Sequence, residues 1–333
     1  MRLRKNLTRF AAALTLGAFS QACAVSTHPH APDSAGLPSR TKDMVSSLST
    51  PGPLTVETVT AATWAVPREG LLNLDHPLAK SNHLEKGDEP IEVYFHVLRH
   101  PRHGKFLVDT GFERALRDDP SHSAMGSLVR SQMGIEKLRF MSPLGDYLAA
   151  HTEPLRGVFL THAHLDHIGG MPDLPKEVPF YTGKGELDER GFLNFFVQGS
   201  TDRSFDGLGP SGEWRFRPDA DGYFDGVVDV FGDRSLFAIW VPGHSAGSTA
   251  YLARTVTGPV LMVGDACHTR FGWENGVEPG DFSSDRARSV GSLVRLRKLV
   301  VAYPNIDVRL GHQALSVSGK AMGKAPDAVP SAR

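Results

Sequence analysis

The sequence predicts a mixed α+β domain, and three observations predict it. Short runs alternate apolar and polar residues with a period of two, the pattern of strands with one buried face. One long stretch, residues 283–303, instead carries apolar residues at helical spacing. Several apolar runs end in glycine followed by histidine or aspartate: "VPGH", "VGD" and "LGH". The chain has 333 residues, 40% hydrophobic and 22% charged, enough apolar material for a sizeable core. Lys and Arg number 36 against 37 Asp and Glu, and no long basic run follows residue 10. That balance argues against a nucleic-acid surface.

Residues 1–24 read as a targeting segment. "MRLRKNLTR" supplies the charges of Arg2, Arg4, Lys5 and Arg9, and "FAAALTLGAF" is an apolar stretch too short to span a bilayer. "SQACA" then offers small residues for cleavage. Export follows, the product being periplasmic, secreted or an outer-membrane lipoprotein. Ser20 and Ala22, or Ala22 and Ala24, suit signal peptidase. Cys23 suits lipidation and a membrane tether, in a segment that resembles a bacterial lipoprotein signal except for Ser20 in place of Leu. The other cysteine is Cys267, so no disulfide is expected within the domain. Residues 25–52 are rich in Ser, Thr, Pro and Ala and read as a disordered tether. Residues 319–333 read as a disordered tail. The folded domain is expected over 53–318.

Within it, Ile91–Leu98 alternates as a strand and forms a hairpin with "KFLVDTG" across "RHPRHG". Residues 112–150 are helical in pieces, with Met125, Met133, Phe140 and Met141 either as local core packing, the simpler assignment, or as an adaptable hydrophobic wall beside a site. "RGVFL" is a buried strand. "VVDVFG" with "SLFAIWV", and "STAYLAR" with "PVLMVGD", are two further strand pairs. The helix over 283–303 presents Ala287, Val290, Leu293, Val294 and Val300 on one face, with Ser283 or Ser284 as its cap. "NIDVRLGH" is a last strand.

The chemistry lies in "FLTHAHLDHIGG". His162 and His164 are two apart, so on extended backbone they point the same way. Asp166 and His167 follow at the turn into a helix near Ile168. Imidazole and carboxylate are the ligands that zinc-like ions favour. Four residues cannot complete two sites, and three more candidates stand at strand ends: His244, Asp265 and His312.

This set, H-x-H-x-D-H with His244, Asp265 and His312 in order, resembles the metallo-β-lactamase superfamily. Spacings of 77, 21 and 47 residues separate His167, His244, Asp265 and His312, and "FLVDTG" with Asp109 matches a strand–turn of that superfamily. The resemblance covers residues 55–315. It implies a four-layer αββα sandwich with two divalent metal ions, most simply zinc, at one edge. His162, His164 and His244 would bind the first ion, Asp166, His167 and His312 the second, and Asp265 would bridge them. Two carboxylates and a hydroxide leave such a centre net positive, hence electrophilic.

Asp265 sets the chain apart from true β-lactamases of this fold, which generally lack a bridging aspartate there. "LLNLDHP", "VPGHSAGSTAYL", and the loop "TRFGWENGVEPGDF" leading by a long helix to "LGHQ" are similar to N-acyl-homoserine lactone lactonases. The resemblance implies a quorum-quenching hydrolase that opens a small-molecule lactone or ester by attack of metal-activated hydroxide, with Asp166 protonating the leaving alkoxide. Those lactonases often carry tyrosine three residues after the bridging aspartate, against the substrate carbonyl. Here the residue is His268, whose imidazole is a candidate hydrogen-bond donor. A phosphotriesterase-like hydrolase of the same fold is the alternative enzyme, and a secreted metal-binding protein without turnover the alternative class. Phe112, Tyr223, Phe224, Phe271 and Trp273 are candidates for an apolar pocket, with core packing the simpler assignment.

Overall fold

A computed structural model describes residues 23–315. In chain order its strands are β1 Cys23–Ala24, β2 His30–Ala35, β3 Leu37–Ser39, β4 Thr55–Pro67, β5 Asp88–His100, β6 Gly104–Val108, β7 Arg139–Phe140 and β8 Leu155–Phe159. Then come β9 Phe180–Thr182, β10 Arg190–Gly191, β11 Ser211–Trp214, β12 Val227–Asp229, β13 Leu236–Trp240, β14 Thr249–Thr255, β15 Gly258–Met262 and β16 Asp307–Arg309. They form an eight-stranded sheet ordered β2-β11-β9-β8-β6-β5-β4-β7, a six-stranded sheet ordered β16-β15-β14-β13-β12-β3, and the pair β1-β10.

Side-chain alternation converts these sheets into layers. On β13, Leu236 and Ala238 join a core cluster with Phe106, Phe159 and Trp214 of the first sheet. Phe237 and Ile239, one residue out of phase, join a second cluster with Leu293, Leu296 and Val300 of the helix Arg286–Ala302. On β8, Phe159 faces the other sheet, while Val158 packs with Leu144 and Ile168 of two helices on the outer side. Three apolar layers between four layers of structure make the αββα sandwich. The two sheets are also joined by polar contacts: the Trp214 indole N–H donates to the Tyr251 hydroxyl (2.9 Å), which donates to the Leu160 carbonyl (2.9 Å).

The two predicted hairpins form, β5 with β6 and β12 with β13, and so does the pair β14-β15. Helices at Arg114–Asp118, Ser127–Met133 and Leu144–Ala150 account for the piecewise helical stretch. The long helix is rotated relative to expectation. Val290 and Val294 are exposed, while Ser289 and Ser292 are buried, and the Ser292 hydroxyl donates to the Pro242 carbonyl (2.7 Å). Small hydroxylated side chains let the helix approach the loop carrying His244, which an apolar pattern does not reveal. Its cap is Asp285, whose carboxylate accepts from the Arg288 N–H, rather than Ser283 or Ser284.

Residues 25–52 are not a tether in this structure. β2 pairs with β11 and β3 with β12, extending both sheets through backbone hydrogen bonds that need no apolar periodicity. A short helix, Thr41–Ser46, follows; the Thr41 hydroxyl donates to Asp219 (2.6 Å), and Met44 is buried with Leu48 in the second core cluster. The targeting segment up to residue 22 and the 319–333 tail lie outside the described residues.

Met44 therefore tests the correction. Met44→Ala should lower unfolding free energy by about 2–5 kcal/mol, the usual cost of truncating a buried methionine. Urea denaturation measures it, and an unchanged midpoint would return the segment to the status of a tether.

Candidate metal centre

Ligand-type side chains gather where strands from both sheets end. After β8 the chain runs through Thr161 to His162 and His164, then enters the helix Leu165–Ile168, which carries Asp166 and His167. That helix starts three residues before the expected position. His244 follows β13, Asp265 follows β15 and His312 follows β16. The glycines before the last two have distinct reasons. Gly264 takes φ 52, in the left-handed region that side chains disfavour. Gly311 passes so close to Asp265 that an added Cβ would lie 2.3 Å from its Oδ1.

The seven predicted ligands come together in two groups, within each of which the donor atoms lie within 4.8 Å of one another: His162, His164, His244 and Asp265, and Asp166, His167 and His312. His244 Nε2 is 2.8 Å from His164 Nδ1 and 3.2 Å from His162 Nε2. Asp265 lies between the groups. Its Oδ2 is 3.5 Å from His162 Nε2 and 3.3 Å from His244 Nε2, and its Oδ1 is 3.4 Å from His167 Nε2 and 3.3 Å from His312 Nε2. Burial pushes the His162 and His244 imidazoles well below their usual pKa, and neighbouring imidazoles add to the effect. Burial opposes charge on His167 too, but Asp265, Asp109 and Asp166 raise it well above the usual value. Asp265 likewise is held well below the carboxylate range by His312, His268 and His167 against the effect of burial.

The residues fit divalent ions. His167 Nε2 and Asp265 Oδ1 are buried and aimed into the centre, with no hydrogen-bond partner among the described residues. The ligands are also braced from behind. His167 Nδ1 donates to Asp109 Oδ2 (2.8 Å) and His312 Nδ1 to the Glu92 carbonyl (3.0 Å), so in the neutral ring Nε2 offers a lone pair. The Asp109 carboxylate also accepts from the Thr161 N–H (2.7 Å) and hydroxyl (2.8 Å), tying β6 to the histidine loop. A third group, His100, His103 and Asp233, shows the opposite polarity. His100 Nδ1 accepts from the Arg102 and His103 N–H groups, so its proton sits on Nε2 and goes to Asp233. Arg102 binds the same carboxylate, which makes this group an ion-pair knot between hairpins.

Two features escaped the sequence. Glu186 is buried and its carboxylate accepts from the Ala163 N–H (2.7 Å), the Ser245 hydroxyl (2.6 Å) and the Gly247 N–H (2.9 Å). It joins the loop of His162 and His164 to the loop of His244, and burial pushes its carboxyl up to about 7. In "GKGELDER" it looks like one charge in a solvated run, and no local signal marks it. The second is a cavity of about 640 Å³ reaching the ligands. Its apolar wall includes Trp64, Leu71, Met133, Phe192, Leu193 and Val197. The expected pocket aromatics are elsewhere: Phe112, Phe224 and Trp273 are core, Tyr223 packs against the core, and Phe271 lines a neighbouring groove. His268 reaches the centre, but its Nδ1 is bonded to the Leu71 carbonyl (2.9 Å) and its Nε2 faces Asp265, so the neutral ring has no N–H to offer a substrate.

The metallo-beta-lactamase superfamily model matches residues 88–305. The N-acyl homoserine lactonase AttM of Rhizobium johnstonii is 28% identical over 252 residues, covering 74% of this chain and 91% of that protein. Among solved structures, a quorum-quenching N-acyl homoserine lactone lactonase has a TM-score of 0.55 at 17% identity, over 79% of this chain and 93% of that one. AidC, a dizinc quorum-quenching lactonase, has a TM-score of 0.54 at 13% identity, over 85% and 97% of the two chains. At these identities the structural likenesses speak to the fold.

Asp109→Asn should weaken affinity for zinc about 10–100-fold, the range typical when the group behind a ligating histidine is changed. Competition with a chromophoric chelator measures this, and wild-type affinity would show that the brace is irrelevant to the centre.

Proposed function

The chain belongs to the metallo-β-lactamase superfamily as a metal-dependent hydrolase, and from that premise we propose that it opens the ester bond of small acyl lactones at a two-ion centre. The observation that carries the proposal is the meeting of all seven ligand-type residues beside a largely apolar cavity. The AttM relatives support the lactone assignment, and the apolar wall suits an acyl chain. In this reading His162, His164 and His244 would hold one ion and Asp166, His167 and His312 the other, with Asp265 placed between the two groups to serve both. Two zinc ions, when bound, would supply Lewis acidity and a hydroxide nucleophile at neutral pH.

The chain's own residues do the rest. Glu186 and Asp109 fix the ligand loops, so the centre is arranged before substrate arrives. The apolar wall excludes water from the acyl chain and orients the carbonyl toward the ligands. Asp166 lines the cavity, with Oδ2 3.4 Å from His312 Nε2. The hydroxide that the ions would supply would add to the acyl carbon, and as the ring C–O bond breaks the Asp166 carboxylate would pass the proton of that added hydroxyl to the departing alkoxide, leaving a carboxylate and an alcohol. The proposal includes export, supported by the order of charged, apolar and small residues in positions 1–24; the mass of the mature N-terminus decides whether Cys23 carries lipid.

Zinc-loaded protein should hydrolyse N-acyl homoserine lactones, lose that activity to chelator and regain it with zinc. Asp265→Ala should lower kcat/KM at least about 100-fold, the upper end of what losing a mere supporting group costs. Turnover of an aryl phosphotriester without lactone turnover would replace the proposal with the phosphotriesterase reading, and metal binding without either turnover would sink the enzyme assignment.

A further inference from the structure

Seven ligands do not exhaust the imidazoles of the centre. His268 is 1% exposed and lies between His244 and His312, at ring-centroid distances of 4.9 and 5.7 Å, stacked nearly parallel on the latter. Its Nδ1 is 2.9 Å from the Leu71 carbonyl oxygen. A carbonyl only accepts, so Nδ1 carries a proton, and in the neutral ring Nε2 carries a lone pair. That Nε2 is 3.2 Å from Asp265 Oδ2 and has no hydrogen-bond partner among the described residues. A lone pair facing an anionic oxygen at this distance is repelled unless a cation lies between them.

His167 and His312 stand in the same relation to Asp265. Each gives its Nδ1 proton to an acceptor behind it and turns Nε2 inward. This is the arrangement by which proteins orient metal-bound imidazoles. His100, whose Nδ1 accepts backbone N–H bonds, shows that the chain also builds the reverse tautomer where no lone pair is to be presented.

We propose that His268 is an eighth metal ligand, giving Nε2 to the ion on the Oδ2 side of Asp265. It stands outside the tight group of His162, His164, His244 and Asp265 and would add a fifth donor to it. The substrate-contacting tyrosine of the similar lactonases would here be replaced by a group that serves the metal. The inference rests on the two-ion reading of the centre and not on the lactone assignment.

Cobalt titration of the full chain tests it without any substrate. His268→Ala, and His268→Asn, whose amide can still donate to the Leu71 carbonyl, should weaken one of two cobalt equivalents about 10–100-fold and leave the other unchanged. The visible spectrum of that equivalent should shift toward the more intense bands of four-coordinate cobalt. Wild-type affinities and spectra in both variants would overturn the proposal and leave a proton as the cation between His268 and Asp265. A wild-type protein that binds fewer than two equivalents would overturn the two-ion reading itself.

Discussion

Five imidazoles converge on one buried carboxylate. His162, His167, His244, His268 and His312 each bring a ring nitrogen within 3.2–3.5 Å of Asp265. Such crowding is tolerable only if the nitrogens and oxygens are shared with positive charge, since an unpaired buried charge is strongly unfavourable. The rest of the structure follows from holding these groups in place. The loops must end at one level, Gly311 must lack a side chain where it passes Asp265, and an acceptor must stand behind His167, His268 and His312.

The sandwich meets these demands because its two sheets contribute different halves of the centre. The first sheet leads into the His162–His167 loop, and the second carries His244, Asp265 and His312. The seam is fastened independently of any ion. Glu186 binds both histidine loops, and the Thr249 N–H donates to the Thr161 carbonyl at 2.8 Å. The backbones at Gly183 and Gly247 come so close that a Cβ on Gly183 would meet the Gly247 carbonyl oxygen at 1.6 Å. These contacts hold the two sheets' contributions to the centre in register, which suits catalysis by preorganised groups.

Much of this is legible in the sequence, for reasons that differ by residue. Strands such as Leu236–Trp240 and Gly258–Met262 declare themselves because burial between layers enforces apolar runs. The ligands stand out because histidine and aspartate are unusual directly after such runs. Glu186 does not, since its partners are backbone N–H groups and a serine far away in the chain. Residues 25–52 mislead because edge strands held by backbone pairing need little side-chain pattern, and Met44 and Leu48 are too few to show a period. The Arg286–Ala302 helix misleads in the other direction. Its valines invite burial, but tight packing against the His244 loop selects serines instead. The position of His268 was readable; the direction of its lone pair was not, because that is set by the Leu71 carbonyl.

The order of the ligands along the chain bears on how the protein comes into being. Asp166 and His167 are made early, but their third partner, His312, lies beyond β16, and its backbone N–H and carbonyl are taken by His268 and Glu92. The group around His162, His164, His244 and Asp265 is complete while β16 is still unmade. Along the chain the donors of the two halves are therefore completed in sequence. A chain interrupted after His268 would carry every donor of one half and leave the other without its last imidazole.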